Sequence, residues 1–201
     1  RNVSCFAPGV MASTGIESFK IIKSLIKEIK PDFVIAIDAL ASRSIDRINK
    51  TIQVTDTGIH PGSGIGNNRM EISKKTVNIP VIAIGVPTVV LSSTIVYDTI
   101  EYLVKHISYI KDNESINKLT FRKTNYLDKI KDRELNQKEK EDLLGLFGTL
   151  NEIDKRSLIS EVLDNTNLNL IVTPTEIDFL INKLSNLIAI SINHALHRQI
   201  N

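Results

Sequence analysis

Apolar positions recur along this chain with two periods, and the switches between them predict helices laid against a sheet. Ile16, Phe19, Ile22, Ile26 and Ile29 return every three or four residues with Lys20, Lys23, Lys27 and Lys30 among them, the pattern of an amphipathic helix on a sheet. Thr14 to Glu17 has the spacing of a capping box at its start, and Pro31 stops it. Val3 to Ala7 reads as a short first strand ended by Pro8 and Gly9. Phe33 to Ile37 has no polar interruption, which predicts a central parallel strand buried on both faces, with Asp38 at its C-terminal end. Ser42 to Asn49 reads as a short helical piece, Thr51 to Asp56 alternates like a third strand, and Ile79 to Pro87 is another continuous apolar strand. A helix capped by Ser92 or Ser93 follows, with Ile95, Ile100, Leu103 and Ile107 turned inward.

The second half of the chain is patterned differently. Between Lys111 and Arg133 charge density rises and no period survives, which predicts a surface connector. Leu135 to Leu144 is then echoed fifteen positions on by Leu150 to Ile159. In each copy an asparagine is followed three residues later by an acid, so two N-capped helices forming a hairpin are expected. Leu168 to Val172 can return as an edge strand. Thr173 to Glu176 offers a second capping box, and Ile177, Leu180, Ile181, Leu184, Leu187 and Ile188 give the last helix a broad apolar face.

Strand, helix, strand, strand, helix argues for an α/β fold: a three-layer α/β/α sandwich with a mostly parallel sheet, plus a small helical-hairpin appendage. The expected division is an α/β core over 1–110, the connector and hairpin over 111–167, and a returning strand and helix over 168–201. On this layout Asp38, Asp56 and Gly85 end three strands along one edge of the sheet, where open α/β sheets place their ligands. Asp38 then has two readings: a carboxyl group placed for chemistry, or an N-cap for a segment from Ala39 to Ile48.

Thr57 to Asn67 contains Gly58, Gly62, Gly64 and Gly66 and follows a strand, so it is a candidate site loop. His60 lies within it before Pro61, a position suited to an exposed turn or to function. Asp38, Asp56 and His60 together would activate a water or hold a metal. The glycine spacing is not that of a phosphate-binding loop, and Ser63 does not sit in the elbow of a serine hydrolase. Without H-E-x-x-H or paired cysteines, a standard zinc site is not expected, nor is a cofactor.

Composition narrows the class. The 201 residues are 42% hydrophobic and 24% charged, as in an ordinary globular protein able to bury one core. A net charge of +2, from 25 basic and 23 acidic residues, does not mark a direct nucleic-acid binder. Cys5, the single cysteine, cannot join an internal disulfide and is expected as a buried thiol in a reducing compartment. The apolar runs are too short to span a bilayer and no signal peptide opens the chain, so a cytoplasmic protein without membrane contact is expected. Starting at Arg1 and entering a strand at once, the sequence reads as the larger, C-terminal part of a longer protein.

Three stretches, Pro31 to Ala41, Asp56 to Gly64 and Ile79 to Thr88, resemble the spore germination protease family. Pro8 to Met11, Thr14 to Glu17 and Val172 to Asp178 match it too, so the likeness covers nearly the whole chain. The resemblance implies an endopeptidase that degrades small acid-soluble, DNA-protecting spore proteins at germination, a homotetramer made as a zymogen and working in the spore core. It also implies a fold similar to the hydrogenase-maturation endopeptidases and an atypical aspartic mechanism with two aspartates, metal dependence being the other reading. Asp38 matches one of the two, and the second belongs to a segment N-terminal to Arg1, so these residues alone are expected to be inactive. Asp56, His60, Gly62, Ser63 and Gly64 are candidates for the substrate cleft. In the similar maturation peptidases a histidine after a later strand helps bind metal, a place that Asp56 or His60 would take. The reading from another class is a non-catalytic scaffold whose helical hairpin drives oligomer formation.

Overall fold

The computed structural model describes residues 2–9, 11–62, 69–112, 130 and 133–197. The chain divides into two compact units, Arg1–Val90 with Val172–Asn201, and Leu91–Ile171.

In the first unit a short helix α1, Met11–Thr14, precedes α2, Ser18–Ile29. The lysines of α2 face outward while Phe19, Ile22 and Ile26 pack inward, as their spacing predicts. Lys30 ends the helix in the left-handed conformation, its N–H donating to the Ile26 carbonyl, and Pro31 prevents continuation. The sheet has the order β1 (Val34–Ser42), β3 (Val81–Leu91), β2 (Gln53–Thr55), and β4 (Ile171–Val172) also pairs with β3. Between β2 and β3 lies the one-turn helix α3, Lys74–Val77. Val34, Ala36 and Leu40 meet α2 on one face, in a cluster with Val81 and Ala83. On the other face Ile35, Ile84 and Val86 meet Leu184, Ile188 and Ile192 of the last helix, Ile177–Leu196. Helix, sheet and helix form the α/β/α sandwich.

The central strand is β3, buried along most of its length, and not β1, whose Ile37 is 54% exposed. β1 and β3 are parallel, in register from Val34 opposite Val81 to Leu40 opposite Pro87. This long partner carries β1 past Asp38 to Ser42, because each further residue still finds backbone groups to pair with. Pro87 has no N–H to give, and the register slips between Leu40 and Ala41 beside it. Asp38 is therefore inside a strand and caps no helix. The short helical piece expected from Ser42 to Asn49 is a 3-10 turn, Ile45–Arg47, and Ser44 accepts from the Asp46 N–H at its start.

β2 runs antiparallel to β3, with Gln53 opposite Gly85 and Thr55 opposite Ala83. The expected common edge of three strand ends is thus wrong for Asp56, which lies toward the start of β3. Val3 to Ala7 pairs with nothing as a strand among the described residues; Val3 and Phe6 are more than half exposed, and Cys5 is an exposed thiol instead of a buried one. A strand needs a ladder, and none is offered there. Neither capping box forms. Thr14 Oγ1 closes a small turn on Ile16 while the Glu17 carboxylate leaves its own helix, and Thr173 Oγ1 donates to the Thr88 carbonyl at 3.0 Å. Non-local partners outbid local caps in both. Of the apolar residues expected on the last helix, Leu184 and Ile188 face the sheet, whereas Ile181 and Leu187 are 42% and 52% exposed.

The second unit starts with α4, Ser92–Asp112, directly after β3. Ser92 binds residues 168–170: its Oγ donates to the Leu168 carbonyl at 2.6 Å and accepts from the Leu170 N–H at 2.9 Å. Helices α5 (Gln137–Leu144), α6 (Leu146–Thr149) and α7 (Glu152–Asn165) follow. Their caps are as the repeat predicts: Asn136 accepts from the Glu139 N–H and Asn151 from the Asp154 N–H, both at 2.9 Å. Replacing Asn151 with Ala is expected to cost about 1 kcal/mol of unfolding free energy, read from urea melts.

α5 packs on α6, and α7 on α4, so the appendage is built onto α4 and is not a self-contained hairpin. The inward face of α4 is Tyr97, Asp98, Val104 and Ser108; Leu103 and Ile107, expected inside, are 52% and 40% exposed. Polar pairing selects that face. Arg156 lies 3.8 Å from the Tyr97 ring centre and 3.7 Å from Asp98, and buried Lys155 meets Glu101 at 3.5 Å. Burial, then the charges of Glu101 and Glu152, pushes the Tyr97 hydroxyl up to about 12. The expected connector falls mostly outside the described residues.

Candidate functional site

Strand alternation puts Asp38 on the face shared with Ala36 and Leu40, toward α2. Directly opposite, Gly85 has no side chain, and the space its Cβ would take is filled by Leu40. The Asp38 carboxyl is half buried among these apolar neighbours, and burial raises its pKa above the ordinary 3.8. The Ala39 N–H and then the positive charge of Arg69 work against that rise. A carboxyl group that holds its proton more tightly than usual, yet remains reachable, is suited to general acid–base work.

Arg69 belongs to the base of the glycine loop. Ile59 and Ile72 exchange two backbone hydrogen bonds of 2.9 Å and are both buried, so they close the 60–71 excursion like a clasp. Gly58 makes the clasp possible. Its φ is +105°, and a Cβ would come within 2.5 Å of Ser73 Cβ and 2.6 Å of the Ile72 carbonyl oxygen. From the other side Glu17 Oε1 accepts the Met70 N–H at 2.9 Å.

The remaining sequence candidates scatter around this centre. Asp56 is exposed, one residue beyond Thr55, and so three register rows from Asp38 and on the far side of β3. Strand rise and spacing put their two α-carbons ~14 Å apart, too far for the short side chains to share a proton or a metal ion. His60 is exposed, with Nε2 3.7 Å from Glu71 Oε1, a surface pairing. Gly62 is in the left-handed region with φ +74°. Ser63 and Gly64 lie outside the described residues. Among the described residues no three His, Cys, Asp or Glu side chains gather as a metal site would need. No helix there is long and apolar enough to cross a membrane.

Sequence reasoning missed the charge of Arg69, which bears on Asp38, and the long-range contact of Glu17 with Met70. Glu17 was claimed by a plausible local motif, and Arg69 sits just after a glycine run that drew attention to backbone freedom and away from charge.

Comparison with known proteins adds an independent line. A family model described as "Germination protease" matches residues 1–201. The "Germination protease" of Bacillus subtilis (strain 168) is 52% identical over 206 residues, covering 100% of this chain and 55% of that protein. Those of Bacillus velezensis and Bacillus pumilus are 52% and 51% identical, again over 100% of this chain and 55% of theirs. The chain spans about half the length of the curated relatives it matches.

Proposed function

Because this chain belongs to the germination protease family, we propose that it is the part of a spore-germination endopeptidase that presents Asp38 to a polypeptide substrate. The substrates on this reading are small acid-soluble spore proteins, cleaved in the spore core by a homotetramer that is made as a zymogen. Asp38 is one member of an atypical aspartate pair, and the second carboxylate comes from outside residues 1–201.

The observation that carries the reading is the state of Asp38: half buried, with a raised pKa, and next to the clasped base of the glycine loop. Two carboxyl groups sharing one proton let the ionised member take a proton from water as the protonated member donates to the scissile carbonyl. A raised proton affinity at Asp38 favours the donor half of that arrangement near neutral pH. The loop from Thr57 to Asn67, with Gly62, Ser63 and Gly64, would shape the cleft in which an extended substrate lies. Asp56 is at most a contact for that substrate, being too far from Asp38 to join the chemistry, and the exposed His60 is a further contact for it.

The test is a cleavage assay on a purified small acid-soluble spore protein. A protein of the relatives' full length that carries this chain is expected to cut it, and residues 1–201 alone are expected not to. Cleavage by the 201 residues alone would refute the shared-pair mechanism. Chelator added to the full-length protein is expected to leave the rate unchanged; a loss restored by a divalent metal would replace the aspartic mechanism with a metal-dependent one.

A further inference from the structure

The two edges of the sheet are built differently. β2 is three residues long and β4 two, and a short edge strand is an ordinary way to deny other chains a row of backbone groups. β1 is nine residues long and, among the described residues, pairs with β3 alone. The Val34 N–H donates to the Pro80 carbonyl at 2.9 Å. As far as Leu40, the even-numbered residues of this parallel ladder therefore turn their backbone groups to β3, while Ile35, Ile37 and Ala39 turn theirs outward. Little on β1 blunts that edge. Val34 to Ser42 holds no lysine and no proline, its one charge is the half-buried Asp38, and the register slips only beyond Leu40.

The side chains have the same gap. Ile37, Ile84 and Val54 form one row across β1, β3 and β2. Ile84 in the middle is 9% exposed and packs with Leu184 and Ile188 of the last helix, whereas Ile37 is 54% exposed. Ala39, the next residue on that face of β1, is exposed as well. One helix covers the middle strand and stops short of β1. The edge thus lacks both a backbone partner and a cover over Ile37, and one further strand with apolar side chains supplies both.

We propose that a segment of the protein outside residues 1–201 adds a strand to the free edge of β1 and covers Ile37. The relatives leave enough chain for it, since this chain spans 55% of the Bacillus subtilis protein. A permanent partner from the same chain fits better than a passing one, because a long apolar edge left open between visits invites aggregation. The proposal concerns the sheet and stands apart from the chemistry of Asp38.

The test uses a protein of the relatives' full length that carries this chain. In hydrogen–deuterium exchange resolved to single amides, Ile35 and Ile37 are expected to exchange as slowly as Val34 and Ala36, whose N–H groups face β3. Much faster exchange at Ile35 and Ile37 overturns the proposal, as does protection that appears only when a spore-protein substrate is added. Ile37→Thr keeps strand propensity and removes apolar area, so it is expected to lower the urea midpoint; an unmoved midpoint leaves Ile37 at the surface and counts against the strand.

An aliphatic photo-cross-linking residue at position 37 identifies the partner. Besides its neighbours on β3 and the last helix, it is expected to capture a peptide from outside residues 1–201 of the same chain. Adducts that join two copies, or none to that outside region, overturn the proposal. Fast exchange at Ile35 and Ile37 in a protein that Asp38→Asn silences would sink the added strand and leave the protease reading standing.

Discussion

Replacing Asp38 with Asn in the full-length protein is expected to lower the rate of spore-protein cleavage by ~10²–10⁴-fold, the usual weight of a lost general acid or base. Asn matches the carboxyl in shape, so the packing around the position is expected to be kept. Stability is expected to hold or rise at neutral pH. The folded state binds the Asp38 proton more tightly than the unfolded chain, whose value is near 3.8. Stability from this group is therefore full below the unfolded value and falls as pH climbs through the higher folded one. Asn has no such titration, so in urea melts at stepped pH the variant should lack that decline. A variant that keeps its turnover removes Asp38 from the mechanism; one that loses stability at neutral pH makes the residue structural.

Gly58→Ala is expected to be the most damaging small substitution for stability in the first unit. Its φ of +105° is closed to a side chain, and the new Cβ would run into Ser73 and into the Ile72 backbone. The strain and the overlap together cost about 3 kcal/mol or more. Gly15 serves as the control: its φ is +66°, but a Cβ there meets nothing within 4 Å, so Gly15→Ala is expected to cost only about 1 kcal/mol. Urea midpoints compare the two, and amide exchange at Ile59 and Ile72 reads the clasp directly. Equal costs would mean that the close approach behind Gly58 yields easily. Because the clasp holds the base of the loop, Gly58→Ala should impair cleavage even below its melting point.

The helices were legible in the sequence wherever their determinants are near neighbours. Ile22 and Ile26 face inward because they are one turn apart, and Lys30 closes α2 because Pro31 cannot extend it. Asn136 and Asn151 cap because their acceptors meet an N–H three residues on. Each depends on atoms within about one helical turn, so a local pattern contains the whole cause. The sandwich followed from the alternation of such helices with apolar strands.

The strands were only half legible. Apolar runs located β1 and β3, but nothing within Phe33 to Ser42 says that the pairing continues beyond Asp38. That depends on how long β3 is and on Pro87 lying within it. The direction of β2 was equally hidden, since alternation along Thr51 to Asp56 reads the same for a parallel or an antiparallel partner. With β2 antiparallel, Asp56 moves away from Asp38 and the sequence's candidate pair is dissolved.

What the amino-acid order determined by itself was thus the helical stripes and their asparagine caps, the apolar runs of the sheet, and a carboxyl group set into one of those runs. The tertiary structure alone decided that Asp38 lies within a ladder, that it stands opposite Gly85 with Leu40 filling the space of the absent side chain, and that Glu17 reaches the Met70 N–H 53 residues away. The reason is one of range: a helix satisfies its backbone within four residues, whereas a strand and the base of a loop take their partners from wherever the chain returns.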